Sequence, residues 1–187
     1  MMDRWSLPKE LEIGGRSYPI RYQFSAVLDI LAAHADPELD ADEKAEIMLT
    51  ILFPDLQEMP AEFYSDALRS ACEFIDCGQK GDGKPKPRLM DWHDDVGLII
   101  PAINKAAGKE VRADPDLHWW TFMAYYMSIG ESLFSTVLRI RQKRATGKKL
   151  DKPEEEFYRE NKAIVDLKRH ETAEEREERE KLLKMLG

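Results

Sequence analysis

Apolar and polar positions alternate in only one stretch of the chain. Leu11 and Ile13 are separated by polar residues, Gly14-Gly15 follows, and Tyr18, Ile20 and Tyr22 alternate again. A period of two on both sides of a glycine turn predicts a β-hairpin. Two strands alone are marginal in water, so the hairpin must lie on helices or on another chain. From Ser25 the period becomes helical. Ser25 can cap a helix from Ala26 to Ala35, with Val27, Leu28, Ile30 and Leu31 as its apolar face and Pro37 closing it. Asp40 and Glu43 form a capping-box start for a helix to Phe53, ended by Pro54. Pro60 opens a third, with Phe63, Tyr64, Ala67, Leu68, Ala71 and Ile75 at helical spacing and Gly78 as its stop. Residues 78–88 are rich in Gly, Pro and Lys and read as a mobile loop.

Asp91 can cap a fourth helix through Val96, Leu98, Ile99, Ile100, Ile103 and Ala107, with Gly108 ending it. Pro101 lies inside and predicts a kink. The most apolar stretch runs from Leu117 to Arg141. Between Trp119 and Ile129 only Thr121 and Ser128 are polar, so this helix is predicted to be buried on most sides. It is too short for a bilayer, which takes about 20 residues. A break or bend is expected at Gly130, with helix again to Lys143. One more helix carries Phe157, Tyr158, Ile164, Val165 and Leu167. A last one starts at Thr172 with Glu175 as capping partner and is mostly charged until Leu182, Leu183 and Leu186. The expected fold is mainly α: a compact multi-helix domain with one N-terminal β-hairpin and a charged C-terminal helical arm. The corresponding division is a hairpin segment over 1–24, a helical core over 25–150 and the arm over 151–187.

Composition changes this picture in two ways. A chain of 187 residues can bury one sizeable core, but 34% charged residues point to an extended solvated segment. The net charge of −8 is also unevenly spread. Residues 1–138 carry a net −11, residues 139–150 a net +6 with no acidic residue, and residues 151–187 a net −3. An acidic body with a basic collar repels nucleic acid overall while offering one local anion site, with Arg139, Arg141, Lys143, Arg144, Lys148 and Lys149 as its candidates. The plainer explanation is cationic side chains at a helix C-terminus, where the dipole favours them. Cys72 and Cys77 fall on different faces of one helix, which argues against a disulfide and for a reducing compartment. The chain opens Met1-Met2-Asp3-Arg4-Trp5, without the basic and apolar regions of a signal peptide, and the expected location is the cytoplasm.

Catalytic and metal patterns are weak. Asp91-Trp92-His93-Asp94-Asp95 resembles a metal cluster only in composition, because neighbours on a helix do not share a face and acidic residues suit a first turn. No His-x-x-x-His or Glu-x-x-His spacing occurs, nor a phosphate loop or nucleophile elbow. His118 reads as a helix-start residue with a local hydrogen bond. No enzyme, metal or cofactor is expected. Trp119 and Trp120 point about 100° apart on a helix. Core packing is the plain reading for both, and a partner anchor at one of them is the sharper one. Leu182, Leu183 and Leu186 share one side of a helix and form a candidate docking face.

One resemblance organises these features. The matching elements are Leu98-Ile99-Ile100, Ala106-Ala107-Gly108, Leu117-His118-Trp119-Trp120-Thr121-Phe122, Ile129-Gly130-Glu131, Phe134-Ser135, Ile140-Arg141, Gly147-Lys148-Lys149-Leu150 and Glu156-Phe157-Tyr158-Arg159-Glu160-Asn161-Lys162. Together they resemble a family of bacteriophage tail-module proteins encoded in siphophage and prophage tail clusters. Pro101 departs from that pattern. The resemblance implies a non-enzymatic role in tail assembly in the host cytoplasm, as a chaperone or adaptor for the tape-measure or tail-tube protein, with self-association as a further contact. A structural subunit of the tail and a nucleic-acid-binding factor are the alternatives.

Overall fold

The computed structural model describes residues 5–79 and 86–168, together with Glu177, Lys181, Leu182, Lys184 and Met185. Among these residues the chain forms a two-stranded hairpin and eight helices. Strands β1 (Glu10–Ile13) and β2 (Arg16–Pro19) pair antiparallel, with Ile13 opposite Arg16 across the turn. Gly14 and Gly15 both take positive φ, 58° and 78°, as a two-residue hairpin turn of this hand requires. Gly14 has a second constraint. A Cβ there would sit 2.5 Å from Cε1 of Phe63, so the Phe63 ring lies flat on the turn.

The helices follow the expected order with shifted ends. Helix α1 (Phe24–Ala35) starts before Ser25, and its N-cap is Gln23, which makes no side-chain cap. The start is held by backbone pairing instead. Phe24 N donates to Leu117 O at 3.0 Å, and Trp119 N donates to Tyr22 O at 2.8 Å. Helix α2 (Ala41–Leu52) carries the capping box of Asp40 and Glu43. Two short 3-10 turns, Leu56–Glu58 and Ala61–Phe63, lead into α3 (Tyr64–Ile75). Pro60 opens the second of these turns rather than the helix itself.

Helix α4 (Val96–Ala107) begins later than Asp91 and runs through Pro101 without interruption. Pro101 and Gly97, the residue one turn earlier, are both exposed. The Gly97 carbonyl left without a donor therefore faces water, which satisfies it. Helices α5 (Trp119–Met127) and α6 (Leu133–Ala145) are separate, and Ser132 caps α6 reciprocally with Ser135. The break spans residues 128–132 around Gly130. Helix α6 closes on Gly147 (φ 69°), with Lys148 N donating to Lys143 O at 2.8 Å. The single helix expected near Phe157 is two, α7 (Lys152–Glu160) and α8 (Lys162–Val165), divided at Asn161. The helix expected from Thr172 lies outside the described residues apart from short pieces, as do residues 80–85 of the expected mobile loop.

One core joins the inner face of the hairpin (Leu11, Ile13, Tyr18) to Val27 and Ile30 of α1, Leu49 and Leu52 of α2, Phe74 of α3, Ile99 and Ile103 of α4, Trp119 and Phe122 of α5, and Phe134 of α6. A smaller core of Val137, Ile140 and Val165 seats α8 on α6. Residues 151–168, placed with the arm on sequence grounds, thus pack on the body. Helix α5 departs from the enclosure its composition predicts, since Ala124 and Met127 are exposed and one face meets solvent.

His118 knits the hairpin lead-in to α5. Its Nδ1 accepts from Trp120 N at 3.0 Å, which leaves Nε2 to donate to Pro8 O at 2.9 Å. The ring is 5% exposed, stacks on Tyr22 with centroids 5.2 Å apart, and meets the edge of Phe74. Only the neutral imidazole offers one acceptor and one donor in this arrangement. Burial pushes its pKa below the ordinary 6.5, against the opposing pull of the Pro8 bond. The unfolded chain therefore binds the extra proton first. His118's contribution is complete above pH 6.5 and is lost as pH falls from there toward the lower folded value. Melting temperature measured between pH 7.5 and 5 should fall, and His118→Asn, which keeps an N-cap acceptor but cannot titrate, should flatten that fall. An unchanged slope in His118→Asn would remove His118 as its source.

The turn supplies a second test. Gly14→Ala and Gly15→Ala share a left-handed backbone cost of about 1–2 kcal/mol. Gly15 has nothing within 4 Å of the added carbon, whereas Gly14 meets Phe63. Chemical denaturation should find Gly14→Ala clearly the more damaging of the two.

Candidate functional site

The tryptophan pair answers to the end of a helix. Trp119 Nε1 donates to Ile75 O at 2.8 Å, and Trp120 Nε1 donates to Phe74 O at 2.9 Å. Both indoles thus serve the C-terminal carbonyls of α3, which lack partners within the helix. Trp119 is 1% exposed and has no surface left for a partner. Trp120 is half-buried and stacks against Phe74. The partner-anchor reading yields to a capping role for Trp119, and Trp120 has its polar atom engaged in the same way.

Much of the basic collar is paired with carboxylates brought in by the fold. Arg141 is buried on α6, and all five of its N–H donors are used. Nε donates to Val165 O, Nη1 to Asp95 Oδ2 and Leu89 O, and Nη2 to Asp95 Oδ1 and Ile164 O, at 2.6 to 3.0 Å. It is therefore withdrawn from the anion set. Arg139 and Lys143 both pair with the buried Glu154, whose carboxyl is held below its usual value first by the Lys143 bond. Arg144 bonds Asp166 and lies 4.2 Å from the Tyr158 ring centroid. Burial raises the Asp166 carboxyl, and the Arg144 and Tyr158 bonds overcome it to leave the pKa lowered. Lys148 and Lys149 remain exposed. The collar joins α6 to α7 and α8 through Arg139, Arg141, Lys143 and Arg144.

The Asp91–Asp95 turn has its own structural logic. Asp91 Oδ1 accepts from His93 N and Asp94 N, both at 2.8 Å, and Asp91 N donates to Asp95 Oδ2 at 2.9 Å. Arg88 closes on Asp91 at 2.7 Å. Both carboxylates are buried and matched by backbone donors and guanidinium groups. Among the described residues no three His, Cys, Asp or Glu side chains gather as a metal would need. Cys72 and Cys77 are free thiols, and burial followed by Asp76 pushes Cys77 up to about 11, away from a reactive thiolate.

What this turn builds is one wall of a groove of about 1080 Å³. The opposite wall is the outer face of α1. Leu28, Leu31 and Ala32 from α1 face Met90, Trp92 and Val96 across an apolar floor. Trp92 is held from behind by Trp119, Phe122 and Tyr126, with centroids 6.2, 6.1 and 5.1 Å away. Tyr126 also donates to the Met90 sulfur at 3.0 Å. The rim is acidic, with Asp29, Asp36, Glu38, Asp91 and Asp94 against Arg88 and Lys168. Lys168 reaches Asp94 at 3.2 Å. An apolar floor inside an acidic rim suits an amphipathic helix flanked by basic residues.

The sequence places Val27, Leu28, Ile30 and Leu31 on one apolar face, and the structure divides that face. Val27 and Ile30 enter the core, and Leu28 and Leu31 turn toward the groove. Leu182 is 59% exposed, and Leu183 and Leu186 lie outside the described residues.

Arg141 supports the groove wall, which gives a test of that support. Arg141→Met leaves the buried Asp95 unpaired and should cost about 3–5 kcal/mol. Adding Asp95→Asn should recover part of the loss, because the uncompensated charge is gone. Equal melting temperatures for the single variant and the parent would mean that the pair carries no stability.

No helix among the described residues is long and apolar enough to cross a membrane. No curated protein and no solved structure matches the chain. A family model does match, described as Bacteriophage Gp15 protein, over residues 3–167. That span takes in the hairpin, all eight helices and both walls of the groove, and the chain belongs to the Bacteriophage Gp15 protein family.

Proposed function

We propose that the protein is a non-enzymatic assembly factor of the phage tail, acting in the host cytoplasm as a chaperone or adaptor. In this reading the α1 groove holds an amphipathic helical segment of the tape-measure or tail-tube protein. The groove carries the proposal. Its floor is apolar and partly exposed, its rim has five carboxylates against two cations, and its far wall is stiffened by a buried ion pair. Membership of a bacteriophage family supports a structural or assembly-related role. The acidic body favours a basic client and disfavours nucleic acid, and the pairing of Arg139, Arg141 and Arg144 with carboxylates points the same way. Leu182, with Leu183 and Leu186, is offered as a second contact, for the client or for another copy of the chain.

Ala32 gives a clean probe because it is exposed, lines the groove and lies on a helix. Ala32→Arg should change stability by no more than about 0.5 kcal/mol, as exposed substitutions generally do. It should also abolish co-purification with the tape-measure or tail-tube protein of the same genome. Retained co-purification would remove the groove from the proposal. Finding the chain in mature particles at a fixed copy number would favour a structural subunit of the tail.

A further inference from the structure

A two-stranded sheet has two outer edges, and here they differ. In an antiparallel pair, successive residues turn their N–H and C=O groups alternately toward the partner strand and away from it. Ile13 and Arg16 flank the turn, and Ile20 N donates to Lys9 O at 3.0 Å. Lys9, Leu11 and Ile13 therefore face β2, and Glu10 and Glu12 turn their backbone groups outward. On β2 the outward positions are Ser17 and Pro19. Pro19 has no N–H to offer. Just beyond it, Arg21 N is taken by Leu52 O at 2.8 Å. The β2 edge is closed by a proline and by the end of α2.

The β1 edge is unpaired. Among the described residues no backbone hydrogen bond reaches the N–H or C=O of Glu10 or Glu12, and both residues are exposed. A groove of about 670 Å³ is lined by this strand, by residues 6–9, by Gly15 and Ser17, and by Ser70 and Glu73 of α3. Its charge is one-sided. Glu10, Glu12 and Glu73 line it, while the one lysine there, Lys9, places its Nζ 4.6 Å from the Tyr22 ring centroid.

We infer that β1 is a docking edge for an extended segment of a partner protein that runs antiparallel to it and carries lysine or arginine at alternate positions. Two outward N–H and two outward C=O groups can extend the ladder by one strand. In that ladder, residues directly opposite each other share a face, so cations on the added strand meet Glu10 and Glu12. A second copy of this chain does not suit the edge, because two β1 strands side by side would set glutamate against glutamate. This surface is distinct from the α1 groove and does not depend on it.

The test uses the full chain and a fluorescent peptide of about eight alternating lysines and threonines, long enough to cover a strand. Anisotropy should show binding. Methylating the lysine amides, which the register aims at β1, should abolish it, and methylating the threonine amides should not. Glu12→Pro copies the Pro19 device on the other edge and should weaken binding about tenfold while leaving the melting temperature in place. Glu10→Lys combined with Glu12→Lys should lose the lysine peptide and gain one alternating glutamate and threonine. Should Glu12→Pro fail to fold, the charge-reversed pair decides. Full binding of the lysine-methylated peptide would mean adhesion by charge without strand pairing and would overturn the inference. Failure of the parent peptide to bind would overturn it as well.

Discussion

A single guanidinium on α6 holds together parts of the chain that have little else in common. Arg141 donates to a carboxylate at the start of α4, to a carbonyl in the segment before it, and to two carbonyls at the end of α8. A charge this deep is costly unless every donor is met. The flat fork of arginine meets that condition here, and lysine, with a point charge and three donors, could not. The Asp91–Asp95 turn is rich in acid, and this cation lets Asp95 be buried while Trp92 packs on the core aromatics. The groove wall and the seating of α8 share this one fully matched side chain, beside the apolar packing of Trp92 and of Val165.

A second junction works by similar means with weaker partners. The first residues of α5 interact with the chain before β1, with the chain after β2 and with the end of α3. His118 and the two tryptophans supply the polar atoms, and their rings supply the packing. Three elements that could have slid past one another are thereby held in one register. Polar contacts inside an aromatic cluster give direction, which apolar contact alone does not.

Much of this was legible from residue pattern. The hairpin followed from alternation around Gly14-Gly15, α2 from the Asp40 and Glu43 box, and the break after α5 from Gly130. These are local effects whose causes lie within a few residues. The misplaced features had causes far away in sequence. Helix α1 begins at Phe24 because its first N–H meets Leu117, not because of Ser25. The collar looked like an anion site because its acids, Asp95, Glu154 and Asp166, are brought in by folding. Trp119 and Trp120 diverge on their own helix, and only the position of α3 shows that both reach one helix end. The groove needed the same long-range knowledge, since half of its floor comes from a turn that reads as a charged cluster. Family membership, established over residues 3–167, says that this is a phage protein and leaves the choice of contact surface to the chemistry of this chain.

The hairpin contacts have a consequence for the order in which the molecule forms. His118 meets Pro8 across 110 positions, and Tyr22 meets Asp116 at 2.9 Å across 94. The strands leave the ribosome well before their anchoring partners, which lie 94 to 110 positions further along the chain. Until α5 appears, Leu11, Ile13 and Tyr18 have only part of their final cover, and the strand pair is marginal alone. Contacts so distant in sequence are slow to close. The nascent hairpin must therefore wait while α1, α2 and α3 assemble. During that interval the glutamates of β1 keep an early and unsupported strand from pairing with its neighbours on the same polysome.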